Sequence, residues 1–280
     1  MRIALCLRGI SYLENYRHSR NTIPYHTLNF KNTGPSIKKC IIEPFEQQGD
    51  QVDVYFATYK SPCEQELIDF YKPVNVYFTD YKDLGDSYYH HGINILNQHS
   101  ICIQLYKHTE QQQGFKYDQV IITRFDLYFY QNILDIGIDY TLVNIPFYHH
   151  HGERHIFSSE DNFLMYPGSK TDIVLQSIIN IQHNMYNNDL QLWRTSHNIA
   201  DFILEKGETI KYLFGEKGDG PYDYPFYKFA RHIFGPKKEI KSIEESLNIP
   251  MNRIYHFKEE KEHNSGIYYN LKKGFSISPL

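Results

Sequence analysis

Short apolar runs recur through the first 130 residues, each bounded by Gly, Pro or charged positions. The first spans residues 1–7, and the next two, at 51–59 and 74–81, are rich in β-branched and aromatic residues. A fourth run, residues 119–123, leads directly into Arg124. Runs of this length and composition are typical of buried strands. The pattern therefore predicts four strands in this part of the chain.

Stretches with helical periodicity separate these runs. Ser36 is expected to cap a helix that Pro44 kinks or shortens and that ends at Gly49, while Pro62 is expected to begin a second helix. A third helix is expected before Gly114. The apolar positions of the three helices are Ile37, Cys40, Ile41 and Phe45, then Cys63, Leu67 and Phe70, then Ile101, Cys102, Leu105 and Tyr106. Four rounds of strand followed by helix predict an α/β fold with a mostly parallel central sheet flanked by helices.

The pattern is less regular after residue 130. We expect strands at residues 140–147 and 162–166, a helix from a capping box of Ser169 and Asp172 through Ile181, and a helix from Ser196 to Gly207. The remainder has the composition of loops with short elements. Without a flexible linker or an internal repeat, residues 1–280 are interpreted as one domain with halves at 1–130 and 131–280.

Charge and hydropathy exclude several classes of protein. The 29 Lys and Arg against 33 Asp and Glu give a formal charge of -4, and no long basic run is available to follow a phosphate backbone, so nucleic acid is not expected as a partner. No stretch of 18 apolar residues is present, so no transmembrane segment is expected. The four cysteines lack a C-x-x-C pair and are interpreted as core residues in a reducing compartment. We therefore expect a cytoplasmic protein.

Polar side chains follow the predicted strands at the point where each strand ends. They are Arg8, Thr58, Asp80 and the pair Arg124 and Asp126. Ligands of open α/β sheets bind beyond the carboxyl ends of the strands, so these residues are expected to share one edge. Leu7 and Gly9 flank Arg8 and are further candidates for contact with a donor nucleotide, because glycine lets the backbone approach a base or phosphate. An ordinary turn is the alternative.

The segment TRFDLY raises the sharpest question, because it places a charged pair at the end of a buried strand. Arg124 offers a planar fork for phosphate oxygens, and Asp126 offers a hard oxygen ligand for Mg²⁺ or Mn²⁺ or an acceptor for sugar hydroxyls. The alternative is an ion pair with a purely structural role, since residues i and i+2 lie on the same face of a strand. The residue pattern leaves both open.

Four stretches together resemble a known family in their order and spacing. They are RIALCLRG at the start, DVYFATY, LIDFYKPVNVYF and FKYDQVIITRFDLYF, with a weaker likeness in SSEDNFLMYPGSK. The chain resembles GT-A-type glycosyltransferases, and more closely a group of bacterial and giant-virus enzymes of the capsule and surface-polysaccharide type. The resemblance covers residues 1 to about 180, and for a viral member it implies the cytoplasm of the host.

This resemblance implies a GT-A-like, Rossmann-like fold whose residues 1–130 bind a nucleotide-sugar and whose residues 131–280 bind the acceptor. The donor would be a UDP-, GDP- or dTDP-sugar and the acceptor a glycan or another hydroxyl. Arg124 stands where the first Asp of the family's D-x-D motif would be, which leaves Asp126 as a metal ligand if Mn²⁺ or Mg²⁺ is used. With one ligand replaced by arginine, a metal-independent mode is equally open.

The acidic pair Glu160 and Asp161 resembles the acceptor-side carboxylate of inverting members of this family. A general base at this place would take the proton of the acceptor hydroxyl, and the resemblance favours Asp161 over Glu160. The alternative is a carboxylate that satisfies backbone N–H groups at the start of an element.

Four histidines between His149 and His155 suggest a metal site, but their spacing matches none of the usual zinc patterns. We interpret them as a solvated loop and predict no zinc site. Three functions then remain to be separated. They are sugar transfer from a nucleotide-diphosphate donor, a catalytically inactive nucleotide- or glycan-binding module of the same fold, and metal-dependent hydrolysis at the histidines, which no spacing supports.

Overall fold

The computed structural model of the protein describes residues 1–16, 26–80, 88–151, 156–159, 161–186, 198–214 and 226–229. These residues form an α/β protein around a seven-stranded, mixed and largely parallel sheet, which confirms the predicted class. Within these ranges, no helix combines the length and the apolar character that crossing a membrane requires.

The central sheet has the strand order β12-β8-β11-β6-β1-β4-β5. Its strands are β1 Arg2–Gly9, β4 Gln51–Tyr59, β5 Asn75–Thr79, β6 Gln119–Arg124, β8 Val143–Ile145, β11 Phe163–Pro167 and β12 Ile210–Tyr212. Within the described ranges, three two-stranded sheets pair β2 Tyr12–Tyr16 with β3 His26–Asn29, β7 Leu127–Phe129 with β13 Tyr227–Phe229, and β9 Tyr148–His151 with β10 Ile156–Ser159. Strand β11 runs antiparallel to both of its neighbours, β6 and β8.

The four predicted strands are all present, and they lie side by side in parallel as β5, β4, β1 and β6. The prediction of a helix after each of them was wrong for β6. That strand ends at Arg124 and enters a two-residue turn, after which β7 begins at Leu127. The chain therefore leaves the central sheet through the short strand β7 instead of making a fourth helical crossover, and β8, β11 and β12 extend the sheet beyond β6.

The helices are α1 Phe30–Ile37, α2 Glu43–Gln47, α3 Glu64–Tyr71, α4 Tyr88–Gln113, α5 Thr171–Tyr186 and α6 Ile199–Glu205. The first helical region starts six residues before the predicted cap, because Asn29 caps it by accepting a hydrogen bond from the Lys31 N–H. Ser36 is buried inside α1, and its hydroxyl donates to the Thr33 carbonyl. A π-helical turn at Lys38–Ile42 joins α1 to α2.

Other predicted boundaries also differ from those in the structure. Helix α3 begins at Glu64, two residues after Pro62, and α5 is preceded by a 3₁₀ turn over Gly168–Lys170 that contains Ser169. Asp172 pairs with Lys107 of α4. Ser196 lies outside the described residues, whereas Gly207 follows α6 in the left-handed conformation. The predicted strand at residues 140–147 is shortened to β8.

Alternating residues of the central strands build a core on each face of the sheet. Ile3, Leu5 and Leu7 of β1 pack with α1, the π turn and α2. Ala4 and Cys6 pack on the other face with α4, α5 and α6. Because Arg8 continues the second series, its side chain lies on the face covered by α4.

Candidate functional site

The strand ends that carry the predicted site residues lie level at one edge of the sheet. Arg8 is opposite Arg124 on one side and opposite Ala57 on the other, while Gly9 is opposite Thr58. The register continues to β5, where Thr79 is opposite Tyr59 and Asp80 follows. Parallel pairing thus brings the candidate residues of four strands to the carboxyl edge, as the sequence predicted.

Arg124 and Asp126 form a bidentate ion pair at the end of β6. Arg124 Nε donates to Asp126 Oδ1 and Nη2 donates to Oδ2, both at 2.7 Å. The sequence had suggested an ion pair along one face of a strand. Asp126 instead lies in the turn after β6, so the pair forms across that turn. Phe125 anchors the turn, because its ring is buried and its carbonyl accepts a hydrogen bond from Thr33 Oγ1. The two parallel N–H to oxygen bonds hold the guanidinium plane in one orientation.

Asn162 holds the third nitrogen of the same guanidinium. Arg124 Nη1 donates to Asn162 Oδ1 at 3.0 Å, and the Asn162 carbonyl accepts from Thr123 Oγ1 at 3.0 Å. The Phe229 ring lies 5.1 Å from the guanidinium carbon. Sequence reasoning missed Asn162, although it directly follows Asp161 in the stretch that carries the weaker family likeness. Its position before β11 was the available signal, since β11 starts at the edge where β6 ends.

Arg8 is the deepest charge of the site, with 1% of its side chain exposed. Its Nη2 donates to the Asp161 carbonyl oxygen, and the Asp161 carboxylate lies 3.9 Å from the same nitrogen. Burial lowers the pKa of Arg8 to about 10, against the opposing effect of Asp161. Among the described residues, Arg8 Nε has no hydrogen-bond partner. Asp161, the candidate base, is therefore packed against Arg8, and only 3% of the Asp161 side chain is exposed.

A buried histidine of α4 completes this cluster and was also missed. His99 is fully buried, and neither ring nitrogen has a hydrogen-bond partner among the described residues. Its pKa is lowered well below the usual value, first by burial and then by the charges of Arg8 and Arg124, with Asp161 acting in the opposite sense. The signal in the sequence was one polar residue on an apolar helical face, in the series Leu96, His99, Ile103 and Tyr106.

The other predicted residues occupy different surroundings. Thr58 is buried, and its hydroxyl donates to the Gly9 carbonyl at 2.7 Å. Gly9 has a φ of +91°, a conformation that side chains with a Cβ disfavour. Leu7 packs in the apolar core, so only its backbone is available at the edge. Asp80 is exposed and lies 3.3 Å from Lys60, separate from the arginine cluster.

Two of the predicted features fall partly or wholly outside the described residues. Glu160 is one of them, so its place relative to Asp161 stays a prediction. His149–His151 belong to β9, which pairs with β10 in an antiparallel hairpin. The prediction of a loop was wrong for these three histidines, and His155 lies outside the described residues.

Helix α4 extends past the carboxyl edge of the sheet. Glu110, near its C-terminal end, accepts from the Tyr117 N–H just before β6, while Cys6 Sγ lies 3.8 Å from the Cys102 carbonyl halfway along β1. The helix therefore runs antiparallel to the strands, and its first turns pass beyond Arg8. The full helix of 26 residues is about 39 Å long, against about 26 Å for an eight-residue strand. Helix α5 supports the projecting part, where Gln182 donates to Asn97 at 2.7 Å.

The donor set at this edge does not fit the Mn²⁺ or Mg²⁺ that the family resemblance implies. Both carboxylate oxygens of Asp126 accept hydrogen bonds from Arg124, and a cation would have to share them with a guanidinium. Within the described part of the chain, no group of three His, Cys, Asp or Glu residues is arranged to hold a metal ion. Divalent hard cations need several oxygen ligands at once, so Asp126 by itself makes a poor site.

Comparison with family models and with curated proteins finds no match for this chain.

Proposed function

We propose that the chain is a glycosyltransferase that moves a sugar from a nucleotide-diphosphate-sugar to a hydroxyl of a glycan or another acceptor, in a GT-A-like fold. The observation that carries this proposal is Arg124, a guanidinium fixed by three hydrogen bonds at the carboxyl edge of the parallel strands. That edge is where open α/β sheets bind nucleotides. A fixed guanidinium fork is also the side chain best matched to diphosphate oxygens.

The proposed reaction is metal-independent. The diphosphate gains negative charge as the bond from its oxygen to the anomeric carbon breaks, and a positioned cation stabilises that charge. Arg124 supplies this cation in place of the metal for which the donor set is unsuited. Arg8 lies directly opposite on β1 and adds a second positive charge beneath the same edge.

Asp161 is the proposed base for the acceptor hydroxyl. Its carboxylate now lies beside Arg8, so the diphosphate has to compete for Arg8 before Asp161 can accept a proton. In the transfer step the acceptor oxygen bonds to the anomeric carbon, its proton passes to Asp161, and the nucleoside diphosphate leaves. Asp161→Asn should leave donor binding nearly intact and lower transfer by about 100-fold or more, the loss typical of a missing proton acceptor. Comparable loss from Glu160→Gln alone would move this role to Glu160.

A binding module without catalysis is the second candidate, and two observations favour it. Asp161 is buried against Arg8, and the oxygens of Asp126 are bound by Arg124. Both arrangements suit a site that holds a nucleotide or glycan without activating it. In this second function Arg124 still binds the ligand, but no carboxylate meets the acceptor.

Ligand binding followed by product detection separates these candidates. UDP-, GDP- and dTDP-sugars are screened by thermal shift with and without Mn²⁺, because a ligand at 100 times its Kd stabilises the fold by about 2.7 kcal/mol. The best ligand is then incubated with glycan acceptors, and free nucleoside diphosphate is measured. Binding with release supports the transferase, binding without release supports the module, and absence of any shift across the three donors contradicts both.

A further inference from the structure

The charges at the carboxyl edge balance before any ligand is present. Arg8 and Arg124 carry two positive charges, and Asp161 and Asp126 lie against them with two negative charges. His99 lies one turn before Cys102, which contacts Cys6, so the antiparallel α4 brings His99 to the level of Arg8. Burial and the two arginines disfavour its protonated form, so it is neutral at pH 7. The cluster is therefore neutral overall and almost completely buried, since Arg124 is its most exposed member at 18%.

An anion that binds at Arg124 upsets this balance. A diphosphate brings at least two negative charges to an edge where each arginine is already paired with an aspartate. Excess charge in a poorly solvated cluster is costly, and the cost falls if a neighbouring group takes up a proton. His99 is the described member of this cluster whose ordinary pKa lies close to neutrality.

Among the described residues, the elements packed around α4 carry few other titratable groups on this face of the sheet. Strand β1 presents Arg8 and the Cys6 thiol, whose pKa is raised by burial. Strand β4 contributes Tyr55, whose pKa is also raised by burial, and α4 itself contributes Cys102. The charges that act on His99 come from Arg8, Arg124 and Asp161, and among the described residues of β5 and α5 none adds to them.

We propose that His99 is a further functional residue of the site and that binding of a diphosphate at Arg124 is coupled to the uptake of one proton by His99. This inference rests on the proposed function for the identity of the ligand. His99 acts through the field of Arg8 and Arg124, because its own ring is fully buried. The absence of a hydrogen-bond partner for either ring nitrogen among the described residues leaves the imidazole able to accept a proton without breaking a bond there.

The experiment uses inorganic pyrophosphate as the probe and measures its binding by calorimetry between pH 8.5 and pH 6. If one proton is taken up, affinity rises as the pH falls, by up to about tenfold per pH unit over the range in which His99 is protonated only in the complex. Repeating the titration in buffers with different ionisation enthalpies counts the protons directly. Protonation of pyrophosphate itself contributes equally in every variant and cancels in the comparison between proteins.

His99→Gln removes the titrating group while keeping a polar side chain, and His99→Leu is a second variant in case the glutamine does not pack. We expect either variant to lose the gain in pyrophosphate affinity that the parent protein shows between pH 8.5 and pH 6. His108→Gln is the matched control, because it makes the same change on the exposed face of the same helix. The imidazole signals of His99, identified by their loss in His99→Gln, should move to the protonated position when pyrophosphate is added near pH 6.5.

Two outcomes overturn the inference, and they differ in what they mean for the proposed function. If the parent and His99→Gln show the same pH profile while Arg124→Ala weakens pyrophosphate binding, the anion site stands and the coupling to His99 is wrong. If Arg124→Ala binds pyrophosphate as tightly as the parent, or if no anion binds at all, the anion site itself is wrong and the coupling falls with it.

Discussion

Strand β1 carries an arginine near each end, and the two edges of the sheet use them differently. At the amino edge, Arg2 Nε contacts Asp53 at 3.3 Å with 31% of its side chain exposed, and its guanidinium stacks 3.5 Å from the Phe115 ring centroid. Neutral donors complete this group, since the Tyr117 hydroxyl donates to Asp53 at 2.7 Å. At the carboxyl edge, Arg8 is 1% exposed and lies opposite a second arginine.

We interpret the amino-edge ion pair as one that joins strands and the carboxyl-edge pairs as ones that suit a ligand. The amino-edge group joins the starts of β1, β4 and β6 through ordinary, partly solvated contacts. The carboxyl-edge group concentrates two arginines, two aspartates and an imidazole with little solvent. Such burial of charge costs stability, and arrangements of this kind are expected mainly at functional sites. The amino edge therefore serves as an internal control for substitutions at the carboxyl edge.

The largest expected effect is on stability, in Arg8→Ala against Arg2→Ala. Removing one partner of a buried pair leaves the other charge uncompensated, so Arg8→Ala should lower the free energy of unfolding by about 3 to 5 kcal/mol. Arg2→Ala removes a partly exposed pair and should cost no more than about 1 kcal/mol. Denaturant unfolding measures both. Equal losses would show that the two edges do not differ in the way described.

The next largest loss of stability is expected for Asn162→Ala, and Gln51→Ala at the amino edge is its matched control. Asn162 accepts a hydrogen bond from the charged Arg124, so its loss should cost about 1.5 to 3 kcal/mol. Gln51 is exposed and donates to Asp53 at the amino edge, and its loss should stay within about 0.5 kcal/mol. Asn162→Ala should also weaken diphosphate binding, since the guanidinium loses its third anchor. Unchanged affinity together with lower stability would restrict Asn162 to a structural role.

A smaller effect is expected from pH. The folded-state pKa of His99 is lowered below its unfolded value, so the unfolded chain binds more protons once the pH falls below about 6.5. The stability that neutral His99 contributes is thus present above that pH and is lost on acidification, at up to about 1.4 kcal/mol per pH unit. Unfolding of the parent and of His99→Leu between pH 7.5 and pH 5.5 should show a steeper loss in the parent. Parallel curves would mean that His99 does not titrate differently on folding.

The smallest expected effect concerns backbone strain at the two edges. Lys72 ends α3 at the amino edge in the left-handed conformation, with a φ of 50°, where glycine is favoured. Lys72→Gly should therefore stabilise the fold by about 0.5 to 1 kcal/mol. Gly9→Ala at the carboxyl edge makes the opposite change and should destabilise it by about 1 kcal/mol or more. Melting curves of the two variants that shift in the same direction would contradict this reading of the backbone.

The amino-acid pattern was sufficient for the first half of the fold, because each buried strand had a clear apolar run. It failed where the determining contacts are distant in sequence. The start of α1 depends on the Asn29 cap, and the β2–β3 pair had no strong apolar signal in its polar surroundings. β11 was expected as a strand, but its antiparallel direction depends on pairing between residues about 40 positions apart.

In the site, too, the local pattern predicted some features, whereas contacts distant in sequence determine others. Arg8, Arg124 and Asp126 were expected at one edge because parallel strands end together, and the register confirms that placement. The bidentate pair across the turn, the anchoring of Arg124 by Asn162 and the burial of His99 beside Arg8 all depend on contacts between elements. Periodicity within one element carries no information on such contacts, although a polar residue on an apolar helical face marked His99.

The most direct measurement is the affinity of the protein for nucleoside diphosphates in Arg124→Ala, with Arg2→Ala measured alongside it. If Arg124 binds the diphosphate, its loss should weaken binding by about 1.5 to 3 kcal/mol, the range for hydrogen bonds to charged groups. Arg124→Lys should recover part of that loss, because lysine keeps the charge and lacks the fork, and Arg2→Ala should leave the affinity unchanged. The contradicting result is an Arg124→Ala protein that is less stable yet binds nucleoside diphosphates as tightly as the parent, which would make the pair at the end of β6 a structural ion pair.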